Sequence, residues 1–339
     1  MKHASLRRFW VVAAFGLLLA ATAAYLSLTN GTFDMSVMDV IQTLLRIHPQ
    51  AEHDLVVFEF RLPRIVLGAL VGFSLGVAGA IIQGVTRNGL ADPGILGINA
   101  GAGLAVVLFM FLFQGAVTAT GWLGVMLMPM FGVAGGLLAT AAIYMFAREQ
   151  GKLDPQRLIL VGIAIASGFG ALTMYISLKM NPNDYEMAVV WLAGSLHNAN
   201  WKFVATMLPW LLLLPLICTR SHVLDLFQLS EESQKSVGMP VEREKNIFLL
   251  CSIGLVSASV AVSGSIAFIG LIAPHLARQL VGLRHIRIIP VSGLVGMIMV
   301  LTGDFIGKTV FAPAELSVGI VVSIIGVPYF VYLLIRSRG

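Results

Sequence analysis

The stretch of this sequence that most resembles a chemical site is Thr302 to Thr309, TGDFIGKT, which ends in the Gly-Lys-Thr triplet of a nucleotide-binding P-loop. A P-loop needs four residues between its two glycines, so that backbone N–H groups can surround the phosphates. Here Gly303 and Gly307 have three residues between them, and Thr302 stands where the first glycine should be. The segment also ends a long apolar run, whereas a P-loop connects a strand to a helix. We therefore interpret Lys308 as something other than an ATP-binding lysine.

Other reactive side chains are sparse in the apolar parts of the chain. Asp304 and His275 are the ionisable groups that stand out there, and His275 has no second histidine or acid at metal-ligand spacing. The sequence contains no His-Glu-x-x-His motif, and no Ser/His/Asp set can be assembled from the apolar segments. It therefore predicts no catalytic residue and no metal site, and the chemistry or energy source is expected to belong to another subunit.

The composition indicates a membrane protein. Hydrophobic residues make up 58% of the 339 residues and charged residues 12%, and the mean hydropathy is +0.89. Soluble domains carry about 25% charged residues. A chain of this length holds about ten spans of roughly 20 residues each and leaves no room for a separate soluble domain. We predict an all-α polytopic membrane protein that forms a single transmembrane domain over residues 1–339.

Ten apolar runs are bounded by charges, Pro and Gly, and each is a candidate span. The runs cover residues 9–28, 64–84, 95–114, 122–146, 157–178, 201–219, 246–264, 266–283, 287–310 and 316–335. The first run has an alternative interpretation as a cleaved signal peptide, because basic residues precede it and Ala21-Thr-Ala23 is similar to a cleavage site. We favour a retained span, since the run continues past that site to Leu28.

The basic residues indicate the orientation of these spans. With the N-terminus in the cytoplasm, sixteen Lys and Arg residues fall on the cytoplasmic side and six on the outer side. This distribution follows the positive-inside rule and predicts an even number of spans with both termini cytoplasmic. The net charge of +5 is thus a topology signal and does not indicate nucleic-acid binding.

The longest polar stretch on the predicted cytoplasmic side follows the sixth run. Residues 225–244, DLFQLSEESQKSVGMPVERE, place Leu226, Leu229, Val237 and Met239 where two short helices would each have an apolar face. Gly238 and Pro240 would end the second helix. Two short helices separated by a turn suit docking into a groove of a partner, and a solvated loop is the alternative.

Several motifs resemble those of the permeases of binding-protein-dependent ABC importers for ferric siderophores, haem and vitamin B12. They occur in the family's order over nearly all of the chain after residue 55. The motifs are Arg61-Leu-Pro-Arg64, Gly79-Ala-Ile-Ile-Gln83, Asn88-Gly-Leu-Ala-Asp-Pro93 with Leu96-Gly97, Trp191-Leu-Ala-Gly-Ser195, Leu229 to Gly238, Phe268 to Arg278, Glu315-Leu-Ser-Val-Gly319 and Gly326-Val-Pro328.

The resemblance implies two functional surfaces and assigns no chemistry to the chain itself. Its outer face would present Arg61, Arg64 and Lys308 to carboxylates of a substrate-binding protein, although Arg61 and Arg64 have an alternative role as anchors at the lipid interface. A cytoplasmic segment at about 221–245 would dock the ATPase. Its predicted docking residues are Leu226, Leu229, Glu231, Glu232, Val237 and Gly238.

The resemblance also implies the partners and the cargo. The importer would contain this permease in the cell membrane, a second permease subunit, two ATPase subunits that bind ATP and Mg, and an extracytoplasmic binding protein. Gly89, Ser230, Gln234, Ser317 and Lys308 depart from the family pattern, which favours a heterodimer of unlike permeases over a homodimer. We expect a ferric hydroxamate siderophore, with catecholate siderophores, haem and cobalamin as alternatives. An ion-coupled secondary transporter is the alternative from another class.

Overall fold

The computed structural model describes residues 2–31, 33, 35–47, 50–113, 122–149, 152–153 and 155–336, most of which are helical. In chain order, the α-helices are α1 (Lys2–Thr29), α2 (Val37–Leu44), α3 (Ala51–Asp54), α4 (Leu62–Thr86), α5 (Ile98–Leu112), α6 (Trp122–Ala147), α7 (Pro155–Ser177), α8 (Pro182–Leu192), α9 (Trp201–Leu211), α10 (Leu213–Thr219), α11 (Ser221–Leu226), α12 (Glu231–Ser236), α13 (Val241–Ser263), α14 (Ile269–Val281), α15 (His285–Thr309) and α16 (Val318–Arg336). A π-helical segment (Leu55–Arg61) joins α3 to α4, a 3-10 helix (Pro93–Leu96) precedes α5, and two-residue strands β1 (Arg148–Glu149) and β2 (Lys152–Leu153) pair antiparallel.

Each predicted span overlaps a helix, which confirms the helical polytopic fold. Within the described residues, eight helical segments are long and apolar enough to cross a membrane, and one of them, Trp201–Thr219, consists of α9 continued by α10. The predicted spans at 95–114 and 266–283 correspond to α5 and α14, which are shorter, with 15 and 13 residues. A full span needs about 20 residues, so neither α5 nor α14 alone reaches that length.

The centre of the bundle is formed by α4, α13 and α15, and glycines set how closely α4 approaches its neighbours. A Cβ atom at Gly72 or Gly76 would lie closer than 3.0 Å to the backbone of α15, at Gly296 and Ser292 respectively. One at Gly79 would overlap the backbone of α14 at Gly270. Lipid tails are as apolar as the helix surfaces, so the hydrophobic effect does little to bring membrane helices together. Close packing between small residues contributes much of the association instead.

Between α13 and α14 the chain leaves helical geometry over residues 264–268. Gly264 and Phe268 both have positive φ, at 67° and 68°. Beside this break, Ser195 N donates to Ser263 O at the end of α13 (2.8 Å). Gly194 and Gly319 both approach Ser265 O, and Gly319 N donates to Gly194 O (2.9 Å). Non-helical backbone at membrane depth is tolerated only when it is enclosed by protein. Segments distant in sequence thus surround the break that separates α13 from α14.

Two groups of residues mark opposite ends of the bundle. Helix α4 begins beside the end of α15, where Arg64 contacts Asp304, and a Cβ at Gly84 near the end of α4 would contact His285 at the start of α15. A helix of 25 residues is roughly 37 Å long. We call the end with residues 27–31, 33, 61–64, 197 and 304–315 the Arg64 end, and the end with residues 220–245 and 278–287 the Asp225 end.

Candidate functional site

The Arg64 end contains an ion-pair network centred on the Arg64 guanidinium. Nη2 lies 2.9 Å from Asp304 Oδ1 and 3.0 Å from Glu315 Oε2. The Glu315 carboxylate also lies 3.1 Å from Nδ1 of His197. The Asp304 side chain is 6% exposed and the Arg64 side chain 17%. Removing one partner of a buried pair destabilises a protein by roughly 3–5 kcal/mol, because the other charge is left uncompensated.

Glu315 lies in the connection between α15 and α16, and its environment keeps it ionised. Partial burial raises its pKa, but hydrogen bonds and charge attraction from Arg64, together with His197, outweigh burial and lower the pKa below its usual value. Glu315 is therefore a carboxylate near neutral pH. Its carboxylate contacts both the mostly buried Arg64 and the exposed His197.

Arg61 and Lys308 contact the end of α1. Arg61 Nη1 donates to Leu28 O and Nη2 to Phe33 O, both at 2.6 Å, and Lys308 Nζ donates to Ser27 O at 2.9 Å. The last carbonyls of a helix have no partner within the helix, and cations are stabilised near that end. The two cations thus complete the C-terminus of α1 and join it to α4 and α15.

The structure brings the three predicted docking residues to one end of the bundle but gives each an internal acceptor. Arg61 is 8% exposed. Residues 302–309 form the last two turns of α15, so they do not adopt the loop that a P-loop requires. Gly303 and Gly307 lie where α16 and the chain before it approach α15, because a Cβ at Gly307 would overlap Leu316 O. Contact of Arg61, Arg64 and Lys308 with a binding protein stays a prediction.

At the Asp225 end, the predicted docking segment forms α11, a turn and α12. Leu229 is 42% exposed and Val237 is 62% exposed, Glu232 is exposed, and Leu226 is half-buried. Gly238 ends the segment with φ +75° and has open space around it. The backbone of Glu231 begins α12, but its side chain lies outside the described part of the structure. The apolar positions that the pattern assigned to a partner therefore remain accessible in this chain.

The turn between α11 and α12 is fixed from within. Gln234 is fully buried, and its Nε2 donates to Phe227 O (3.2 Å) and to Leu229 O (2.8 Å). Ser230 caps α12 by accepting a hydrogen bond from Ser233 N at 3.3 Å. Two side chains thus hold the segment in shape while its outer surface stays exposed.

Two contacts between an acidic and a basic side chain connect this segment to the membrane helices, and the sequence pattern indicated neither. Asp225 Oδ1 accepts hydrogen bonds from the His285 backbone N (2.9 Å) and contacts its Nδ1 (2.7 Å), so Asp225 caps α15. Arg220 Nη1 lies 2.7 Å from Glu244 Oε1 on α13. The sequence does place an acid, Asp225, and a histidine, His285, near helix ends. Many surface loops contain such residues, so these positions alone did not predict the contact.

Within the described residues, no group of three or more His, Cys, Asp or Glu side chains could hold a metal ion. His275 instead packs edge-on against Tyr329, with ring centroids 6.0 Å apart, and its Nε2 lies 2.8 Å from Gln279 Nε2.

A bundle of helices long and apolar enough to span a membrane, with an ion-paired network at one end and an exposed amphipathic segment at the other, is the architecture of a multi-pass membrane protein. The comparisons with known proteins agree and identify the family. The model of the FecCD transport family matches residues 17–336, and the chain belongs to that family. The predicted resemblance and the membrane location are thereby confirmed.

Characterised relatives cover nearly the whole chain. The iron-uptake system permease protein FeuC of Bacillus subtilis is 49% identical over 321 residues, which is 94% of this chain and 96% of the relative. The iron(3+)-hydroxamate import system permease protein FhuG of Bacillus subtilis is 43% identical over 329 residues, 97% of each. A solved structure assigned to the metal-chelate type of ABC transporter, in an inward-facing conformation, superposes with a TM-score of 0.81 at 28% identity, over 96% of this chain and 99% of the other.

Proposed function

We propose that this chain is the permease subunit of a binding-protein-dependent ABC importer whose cargo is a ferric siderophore, with a ferric hydroxamate as the first candidate. The observation that carries the proposal is the full-length similarity to two permeases named for iron uptake and for iron(3+)-hydroxamate import. Binding and hydrolysis of ATP belong to two partner ATPase subunits, which act through the segment at about 221–245. The chain itself catalyses no reaction.

The proposed importer contains a second, unlike permease subunit. Helix α7 leaves a surface for such a neighbour, because Leu160, Ile163 and Met174 are at least half exposed, and a Cβ added at Gly168 or Gly170 would meet nothing within 4 Å outside its own helix. Two different permease proteins, YfmE and YfmD, are named for one Fe(3+)-citrate import system of Bacillus subtilis, and both are similar to this chain. The cargo would move between the two permeases by alternating access.

The proposal is tested by purifying the chain with its membrane partners and reconstituting the complex in liposomes. We expect co-purification of an ATPase subunit and uptake of a radiolabelled ferric trihydroxamate that requires ATP and persists with a protonophore. Ferric tricatecholate, haem and cobalamin are the competing cargoes in the same assay. Uptake that survives ATP depletion and is abolished by the protonophore would identify a secondary transporter, and preferential uptake of haem or cobalamin would overturn the cargo.

Docking of the binding protein is tested by neutralising Lys308 without removing its hydrogen bond. Lys308→Gln keeps a donor for Ser27 O but removes the charge, so we expect capture of the loaded binding protein to weaken by up to about fivefold at low salt. The difference should vanish at high salt, because screening shortens the Debye length from about 10 Å at 0.1 M to about 3 Å at 1 M. Binding is measured with the reconstituted complex.

Lys179→Gln is the matched control, since it removes the same charge on the predicted outer side, where Lys179 contacts the Tyr175 ring. Arg61→Glu and Arg64→Glu should also weaken capture, but they break internal contacts, so the folded amount of each variant is measured first. Unchanged affinity and salt dependence in Lys308→Gln and in the folded fraction of both reversals would mean that these residues act only inside the permease.

A further inference from the structure

An apolar groove runs between α1 and α15 and opens toward the membrane. Its volume is about 260 Å³, and α14 closes it at one end through Leu280. The lining residues of the two long helices are Val11, Phe15 and Leu19 on α1 and Val291, Leu294 and Ile298 on α15. Val11 and Phe15 are each 60% exposed and form the rim, whereas Val291 and Leu294 are buried and form the floor. From Val11 to Leu19 the groove extends roughly 12 Å, close to the thickness of one leaflet of a hydrocarbon core about 30 Å thick.

Two arginines lie about one helical turn beyond the residues that line the groove, at the Asp225 end of the bundle: Arg8 on α1 and Arg287 on α15. Successive residues of an α-helix are about 100° apart. Val12 and Gly16 also line the groove, and with them the centre of the α1 stripe lies about 12° from Arg8. Val295 also lines it, and with it the centre of the α15 stripe lies about 30° from Arg287, which is one turn before Val291. Arg8 Nη2 donates to Gln279 O on α14 at 2.7 Å, which holds this guanidinium at the mouth of the groove.

The three helices that form the groove carry no carboxylate near these two arginines. Helices α1 and α14 contain no Asp or Glu, and the acid of α15, Asp304, lies at the opposite end and pairs with Arg64. Arg287 is half-exposed and makes no side-chain hydrogen bond or ion pair within the residues that the structure describes. Two positive charges are therefore placed beside an apolar groove without a neutralising acid on its walls.

We propose that this groove binds one acyl chain of an anionic phospholipid, with the phosphate of its head group between Arg8 and Arg287. Basic pockets between membrane helices recognise anionic head groups by charge, and each Lys or Arg near the surface contributes to that attraction. The groove supplies the apolar half of the ligand site and the arginines supply the polar half. A free anion would satisfy the arginines only, so the two halves together specify a lipid. The bound lipid would join α1 to α14 and α15 on the leaflet of the Asp225 end.

Native mass spectrometry of the full chain purified from membranes tests this assignment. Added dioleoyl phosphatidylglycerol is compared with dioleoyl phosphatidylcholine, which has the same acyl chains without a net charge. We expect the wild-type chain to bind one phosphatidylglycerol more tightly than phosphatidylcholine, and Arg8→Gln/Arg287→Gln to bind it about 30-fold more weakly. Glycerol phosphate, the head group without chains, should show no saturable binding.

Arg7→Gln is the matched control, because Arg7 precedes Arg8 at the same depth but lies about 110° from the groove. It should keep the wild-type preference for phosphatidylglycerol. The assignment is overturned if the wild type shows no such preference, if the double variant keeps it, or if Arg7→Gln loses as much, which would indicate a response to net charge alone. Equal binding of glycerol phosphate would identify a site for free anions instead of a lipid.

Discussion

Replacing Glu231 and Glu232 together by lysine is expected to abolish uptake while the chain still inserts into the membrane and folds. Both residues begin α12, whose surface is exposed, and Glu232 itself is exposed. Reversing two charges at a proposed ATPase interface places like charges opposite one another, which costs several kcal/mol and reduces affinity by more than about 100-fold. The measurements are ATPase co-purification and ATP-dependent uptake by the reconstituted complex.

The matched control is Glu231→Gln/Glu232→Gln, which removes the charges without reversing them. Lysines in the first turn also oppose the helix dipole by roughly 0.3–1 kcal/mol each, a local effect that glutamine largely avoids. If the interface matters, the glutamine variant should retain partial uptake while the lysine variant has none. Normal co-purification and uptake in the lysine variant would remove this segment from the ATPase contact.

The spans could be predicted from the sequence because lipid imposes a simple requirement. Each membrane helix needs about 20 apolar residues, so hydropathy locates it without knowledge of its neighbours. The shortness of α14 could not be predicted in this way. Its start follows the positive φ of Phe268, at a break in the helix that packs against Gly194 and Gly319, which are distant in sequence.

The positions of Arg61, Arg64 and Lys308 were indicated by motifs, but their contacts were not. Lys308 donates to Ser27 O across 281 positions in the chain, and Arg64 pairs with Asp304 across 240. A single sequence gives the residue types and their approximate depth. It does not give the pairing, because which acceptor is nearest depends on how α1, α4 and α15 pack.

Helix α15 links the two candidate surfaces. At the Asp225 end, Asp225 of the proposed ATPase-docking segment caps it at His285, and at the Arg64 end Asp304 and Lys308 connect it to α4 and α1. Between these ends it packs against the glycines of α4, where backbone contacts backbone. A change at the docking segment would therefore act on a helix that reaches the opposite end of the bundle, and we expect the packing of α4 on α15 to be especially sensitive to substitution.

Gly76→Val is accordingly expected to destabilise the chain more than any surface change. A Cβ at Gly76 would overlap the carbonyl oxygen of Ser292, and backbone of a packed helix cannot move aside as the end of a side chain can. Overpacking usually costs about 1–3 kcal/mol, and a backbone obstacle places this site at or above the upper end. The measurement is the fraction of chain that stays monodisperse in detergent after heating, followed by gel filtration.

Gly168→Val is the control, because Gly168 is also a helical glycine but a Cβ added there would meet nothing within 4 Å outside its own helix. Its thermal stability should match the wild type, so equal loss of stability in both variants would show that valine destabilises these helices regardless of packing.

Uptake adds a second comparison between the two variants. If α7 contacts the second permease subunit, Gly168→Val should keep the stability of the isolated chain and yet lower uptake by the assembled importer, because small residues let membrane helices of two subunits approach closely. Normal stability with normal uptake would leave the α7 surface facing lipid.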